Sequence, residues 1–266
     1  MNANSQYYSN VAQYYDKDAQ HFEKTAATPV LKQIRESFRQ ITDRYTFERY
    51  LEIGVGIGLD IHYFADKYPA RKCYGIDVSA SMVNAAMQRV YESDLKNVEI
   101  KEGTVENIEA LFPEIQADMI SVYFGALNTV SNPLAIEAHL HQVLSKEGYM
   151  VLTFVNKWYM MYILKSLVKF RFKTAFKRLR SIWGGYSPTR HLDSRCYSYK
   201  DIKKMFPNSE VVYKRGYSIL YPAWYEYRIA NRYPKFCQMM WKLDNFIQKT
   251  PFWNFGEYSL YVFKKV

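Results

Sequence analysis

The segment Glu52-Ile53-Gly54-Val55-Gly56-Ile57-Gly58 and the later Asp77 have the residue types and spacing best suited to chemistry in this 266-residue chain. Glycines at a strand-to-helix turn permit positive φ and let backbone come close to a ligand. In dinucleotide-binding folds such a turn receives a pyrophosphate at a helix N-terminus. Here Glu52 stands two positions before the first glycine, the spacing is GxGxG, and Leu59 occupies the place of the fingerprint's third glycine. A carboxylate in that position repels phosphate and suits a ligand that carries an ammonium group instead. Asp77 ends Tyr74-Gly75-Ile76-Asp77, 23 residues beyond Gly54. An acid at about that distance, roughly 20 residues on, can hold both hydroxyls of a ribose. A glycine-rich turn alone is equally a tight turn; the ordered set of acid, glycines and second acid points to S-adenosylmethionine (SAM), which joins an amino acid and a sulfonium to adenosine.

These residues require elements that place them. Residues 49–53 read as a short apolar strand running into the glycines, and 59–68 as a helix stopped at Pro69. Strands are expected at 72–76, 98–101, 118–123 and 149–155, with helices at 81–93, capped by Ser79 or Ser81, and from Asn132 or Pro133 to about Leu144. Strand alternating with helix implies an α/β fold: a mostly parallel sheet covered by helices on both faces. Before it, residues 5–24 read as a short helical arm, and Val30, Leu31, Ile34, Phe38 and Ile41 form a helical apolar stripe after Pro29. After it, 197–205 reads as a helix, 210–217 as a strand, 222–256 as helical and aromatic, and 259–264 as a last strand.

On the ordered set Glu52, Gly54, Gly56 and Asp77, the chain resembles the class I SAM-dependent methyltransferases over roughly residues 45–155. That family implies a Rossmann-like, seven-stranded sheet whose last strand is antiparallel, the place of Ser259-Leu260-Tyr261-Val262-Phe263-Lys264. The resemblance implies that Glu52, Gly54 and Gly56 border the methionine end of the cofactor, that Asp77 binds ribose, and that Val78 and Met82 flank the adenine. Thr104 stands where relatives often have an Asp for the adenine amino group, so Thr104 or the backbone of Val105 takes that contact. Phe124, at the end of the fourth strand, faces cofactor and acceptor. Tyr14-Tyr15-Asp16 resembles the arm of the quinone-biosynthesis, small-molecule branch; an ordinary surface helix is the plain alternative. No Asn-Pro-Pro-Tyr or Asp-Pro-Pro-Tyr and no Pro-Cys nucleophile follow the fourth strand, which argues against the common nucleic-acid amino- and C5-methylating enzymes.

Charge divides the chain. Residues 1–150 carry 14 Lys and Arg against 20 Asp and Glu; residues 151–266 carry 22 against 6, and 28 of the 46 aromatic residues. Such a basic half implies an anionic partner: a nucleic acid, an acidic membrane or an anionic substrate. The expected organisation is an arm at 1–45 and a methyltransferase domain at 46–266, with lid insertions at about 156–205 and 222–256. Trp158, Trp183, Trp224, Trp241 and Trp253 would give these insertions an apolar acceptor pocket. Lys165, Lys169, Lys173 and Lys177 recur every four residues and would form one face of a helix, able to meet acidic lipid or a substrate phosphate, or to be solvated only. A peripheral membrane contact through 157–180 follows from the first option.

For catalysis, a hydroxyl acceptor needs a base, whereas an amine often does not. His191 is the best-placed base, with a loop hydrogen bond as its alternative, and Tyr15, Tyr186 and Tyr197 are candidates to orient an acceptor. No metal site is expected, because Cys73, Cys196 and Cys237 are scattered and make no CxxC pair. The longest apolar run, Trp158 to Leu164, is far short of the roughly 20 residues of a membrane span. The N-terminal residues carry no signal-peptide pattern, so a cytoplasmic protein is expected. The function expected is methyl transfer from SAM to a small, apolar or amphipathic molecule. The alternative is modification of RNA or protein docked on the basic insertion.

Overall fold

Each of the early strands is too short to be stable alone and too apolar to face water, so they pair and are covered on both faces. The computed structural model describes residues 3–17, 19–185, 187 and 191–266. Three helices come first: α1 (Ala3–Asp16), α2 (Ala19–Ala26) and α3 (Pro29–Thr42). Then follow β1 (Arg49–Ile53), α4 (Leu59–Lys67), β2 (Lys72–Asp77), α5 (Ala80–Glu92), β3 (Val98–Glu102), the single-turn α6 (Ile108–Leu111), β4 (Ala117–Val122), α7 (Ile136–Val143) and β5 (Leu144–Val155). The remaining elements are α8 (Met160–Val168), α9 (Phe172–Ala175), α10 (Tyr199–Met205), β6 (Ser209–Tyr217), α11 (Tyr227–Arg232), α12 (Pro234–Ile247) and β7 (Tyr258–Lys265).

The seven strands form one sheet in the order β3-β2-β1-β4-β5-β7-β6. The first five are parallel, and β7 lies antiparallel between β5 and β6. This is the Rossmann-like methyltransferase arrangement expected from the sequence. Side chains alternate across β1, and so does the core. Tyr50 packs with Phe38 and Phe64 on one face, while Leu51 and Ile53 join Ile120, Leu140 and Phe154 on the other. On the first face α3 starts with Pro29 after an extended Thr28 and buries Val30, Ile34, Phe38 and Ile41. The Phe38 ring lies 4.9–5.3 Å from those of Tyr123, Phe124 and Tyr217. Truncating such a phenylalanine typically costs about 3–5 kcal/mol, so α3 is held firmly in place.

The lysine-faced helix expected over 157–180 does not form. α8 ends at Val168, where the N–H of Phe170 bonds the Leu167 carbonyl (2.9 Å) and that of Arg171 bonds the Ser166 carbonyl (2.8 Å). The chain then turns inward and buries Arg178 against the rings of Tyr159, Tyr162 and Trp183, with Glu257 3.3 Å away. A guanidinium buried this deeply is strongly destabilising without such a carboxylate. Lys165 is drawn away as well and pairs with Glu226 at 2.6 Å. The four lysines therefore share no single helix face.

Candidate active site

The strand order reverses between β1 and β4. At such a switch point the loops leaving neighbouring strands diverge and open a crevice beyond their carboxyl ends. A cavity of about 530 Å³ lies there, walled by the turns after β1, β2, β3 and β4, roofed by α1 and α2, and closed at its far end by Trp183, Gly185, Leu192, Ser194, Trp224 and Tyr258. The volume is within the usual range for a ligand pocket, roughly 300–1,000 Å³.

The loop after β1 carries positive φ at Gly54 (74°), Gly56 (52°) and Gly58 (77°). Two of these glycines are required by the protein's own packing. A Cβ on Gly54 would lie 2.6 Å from the Ala126 Cβ, and one on Gly58 2.8 Å from the Ala86 Cβ. Gly56 is different: its missing Cβ faces the cavity, with the Phe22 ring of α2 at 3.6 Å. The loop is thus pressed between the turn after β4 and helix α5, leaving Gly56 toward the ligand space.

Asp77, at the end of β2, fastens the same loop. Its Oδ2 accepts the Gly56 N–H (2.8 Å) and its Oδ1 the Ser79 N–H (3.0 Å). Burial outweighs these donors and pushes its carboxyl up to about 6. Ser79 caps α5 by accepting the Met82 N–H (3.1 Å) and donates its hydroxyl to Asp16 (2.6 Å). Asp16 also accepts the Ser81 N–H at 3.2 Å. Burial alone would raise this carboxyl, yet the donors hold it below the usual range. The Tyr14-Tyr15-Asp16 sequence therefore ties α1 to the turn that carries Asp77, with Tyr14 and Tyr15 in the cavity wall. At the other end of α1, Tyr8 donates to Glu106 and Tyr7 to the Asp193 carbonyl (2.8 Å).

Glu52 sits at the floor of the cavity, 2% exposed. Beside it Asp60, in the first turn of α4, receives two guanidiniums from α3. Arg35 Nη1 is 2.5 Å from one carboxylate oxygen and Arg39 Nε 2.7 Å from the other. Their spacing of four residues puts both arginines on one helix face. Burial, and then the Asp60 charge, push the Glu52 carboxyl well above the usual carboxylate range, against the opposing pull of Arg35 and Arg39. Arg35 lines the cavity and its buried Nε has no hydrogen-bond partner among the described residues. A zwitterionic amino-acid group matches this floor: an ammonium for Glu52 and a carboxylate for Arg35, with no net charge added. Glu52→Gln is expected to lower SAM affinity about tenfold or more, the scale of a charge-assisted hydrogen bond. Because an ammonium favours ionised Glu52, binding should release protons. Calorimetry in buffers of different ionisation enthalpy should show that release in the wild type and a smaller one in the variant.

All nine residues that the sequence singled out for the cofactor lie in this one wall: Glu52, Gly54, Gly56, Asp77, Val78, Met82, Thr104, Val105 and Phe124. The Thr104 hydroxyl points to Asn107 Oδ1 at 3.4 Å, a local turn contact. Phe124 has φ 53°, a costly conformation for an aromatic residue, next to Gly125 at 78°. The guanidinium of Arg35 lies 4.8 Å from the centre of the Phe124 ring.

The acceptor end needs correction. Tyr15 is in the wall, but His191 is not: its side chain is 67% exposed and bonds Asp193 at 2.8 Å, while its neighbour Leu192 lines the cavity. Adjacent residues of an extended segment point opposite ways, so only one of the two can face inward. Tyr186 lies outside the described residues. Of the five tryptophans only Trp183 and Trp224 reach the cavity. Trp241 packs on Tyr217 and Tyr221, Trp253 on Tyr199 and Tyr261, and Trp158 is 42% exposed. Sequence reasoning missed Arg35, Tyr8 and Asp60. The acid just after the glycines and the Arg35–Arg39 spacing were signals for two of them.

A family model described as a methyltransferase domain matches residues 47–194, more than half of the chain. An uncharacterised protein of Methanocaldococcus jannaschii is 26% identical over 224 residues, 81% of this chain and 75% of that protein. Two solved structures share the fold at low identity. The Haemonchus contortus phosphoethanolamine N-methyltransferase 2, in complex with phosphomonomethylethanolamine and S-adenosylhomocysteine, has a TM-score of 0.62 at 14% identity, over 97% of this chain and 59% of that one. The [4+2]-cyclase SpnF has a TM-score of 0.63 at 18% identity, over 96% and 94%. Since one fold carries both activities, fold alone does not name a reaction. The matching family model and the SAM-suited wall do: this chain belongs to the methyltransferase-domain family and is a SAM-dependent methyltransferase.

Proposed function

We propose that the enzyme methylates a small, apolar or amphipathic molecule by in-line displacement. One observation carries this reading: the acceptor end of the cavity is walled by Trp183, Trp224, Tyr258, Leu192 and Phe124, and no histidine or lysine lines the cavity among the described residues. SAM supplies an electrophilic methyl group on a sulfonium. The acceptor's lone pair forms the new bond to carbon as the carbon–sulfur bond breaks and its electron pair stays on sulfur. The chain's own task is to orient the acceptor and exclude water. Glu52, Arg35 and Asp77 hold the cofactor's polar ends, and the aromatic wall sets the acceptor's approach. Such a wall suits an acceptor atom that already has a free lone pair, as an amine does, over a hydroxyl that needs a base.

The test uses SAM labelled in its methyl group, incubated with the enzyme and host extract and then partitioned. Label in organic-soluble small molecules supports the reading. Label that precipitates with RNA or protein replaces it with macromolecular modification. With the acceptor in hand, Trp183→Ala and Trp224→Ala are each expected to raise its KM about tenfold, the scale of a lost aromatic contact, with SAM affinity unchanged.

A further inference from the structure

We propose that the turn between α8 and α9 is a docking site for an anionic phospholipid bilayer. Six consecutive residues there are exposed and alternate in character: Val168, Lys169, Phe170, Arg171, Phe172 and Lys173. Val168 is 78% exposed, Phe170 82% and Phe172 59%. Side chains of this size are normally buried, and three together on one turn form an apolar tip. The three cations between them take part in no ion pair among the described residues, whereas Lys165 and Arg178, on either side, are paired. The segment from Lys157 to Arg180 holds eight basic residues and no acid.

The backbone gives an independent sign. The bonds from Phe170 and Arg171 back to Leu167 and Ser166 form the helix-ending motif whose left-handed position is usually glycine. Here that position is Phe170, with φ 55°. An aromatic residue held in a costly conformation, with its ring in water, is not explained by folding. An interfacial site explains both facts. Apolar side chains enter the acyl boundary while lysine and arginine meet acidic headgroups, as in other interfacial anchors. Charge complementarity selects an anionic bilayer. The aliphatic Val168 and neighbouring Leu164, 47% exposed, favour lipid over nucleic acid, which offers aliphatic groups little to pack against. The turn is also joined to the cavity wall: Lys165 pairs with Glu226, two residues from Trp224, and Arg178 lies 4.9 Å from the Trp183 ring centre. The inference does not depend on the acceptor being a lipid.

Flotation of the full chain with phosphatidylcholine vesicles, with and without phosphatidylglycerol, tests it. The wild type should float with anionic vesicles, less as salt rises, and little with neutral ones. Phe170→Gly places the preferred residue at the left-handed position, so its thermal midpoint should not fall, and SAM affinity should be unchanged because residue 170 is outside the cavity wall. Its affinity for anionic vesicles should drop about tenfold. Lys169→Gln, Arg171→Gln and Lys173→Gln together should remove about a hundredfold or more, at about fivefold per cation near an acidic surface. A wild type that stays with the unbound fraction overturns the proposal, as does Phe170→Gly floating like the wild type. Salt-sensitive binding of RNA, with no vesicle binding, overturns it in favour of a nucleic-acid surface.

Discussion

Asp77→Ala is expected to lower SAM affinity by about 1.5–3 kcal/mol, roughly 10- to 150-fold. The carboxylate does two things at once. In the proposed site its remaining lone pairs would take the ribose hydroxyls, and it already accepts the N–H groups of Gly56 and Ser79, so the substitution also loosens the glycine loop. The pH dependence separates the roles. Asp77 is pushed up to about 6 from an ordinary 3.8, chiefly by burial. The fold therefore favours the protonated form. The stability gained from protonation is fully present below about pH 4 and is lost as pH rises through 6, amounting to about 3 kcal/mol. Ribose hydroxyls need the ionised acceptor. Wild-type SAM affinity should then rise between pH 5 and 7, while Asp77→Ala should be flat across the same window, apart from what Glu52 contributes in both proteins. Isothermal titration at several pH values, with a melting curve for each sample, checks both statements. Equal affinity in a folded variant would remove Asp77 from the ribose site.

Gly54→Ala should have a larger effect on the fold itself. The residue has φ 74°, and the new Cβ would meet the Ala126 Cβ at 2.6 Å. The left-handed conformation costs about 1–2 kcal/mol for a non-glycine residue. Forcing a methyl into a packed contact typically costs about 1–3 kcal/mol more. The sum, about 2–5 kcal/mol, is a large share of the roughly 5–15 kcal/mol by which proteins are stable. The variant should melt several degrees lower and bind SAM weakly, because the loop can keep its shape or admit the methyl, but not both. Ala126→Gly in the same chain clears the contact and leaves the φ cost, so it should recover part of the melting temperature. No recovery would mean that conformation alone, and not the contact with the turn after β4, makes this position glycine.

Much of the cofactor side of the site was legible before the fold was known. The glycine loop, Asp77 and the Ser79 cap are each marked by residue types within a few positions, although their contacts reach across the fold, and β1 and β2 were bounded to within one residue. The acceptor side was not. His191 and Leu192 are adjacent in the chain, and the orientation of an irregular segment decides which enters the cavity. The lysine repeat from 165 to 177 has helical spacing, yet Arg178 finds Glu257 across 79 residues and the chain bends to reach it. Periodicity records what a helix would do if it formed; it does not include the pull of a buried ion pair.

From composition and local spacing came the α/β class, the nucleotide-end motif with its ammonium-suited Glu52, and the basic, aromatic second half. These follow from short-range rules: strands alternate, glycines take tight left-handed turns at the least cost, and acids repel phosphate. Only the folded chain decided the rest. It brought Arg35 and Arg39 of α3 to Asp60 of α4, and Asp16 of the arm to Ser79. It sent Tyr7 across to the Asp193 carbonyl, turned two of five tryptophans toward the cavity, and left Phe170 outside in water. Each of these is a meeting of, or a separation between, residues distant in sequence. Packing of whole elements sets such distances, and no local pattern encodes them.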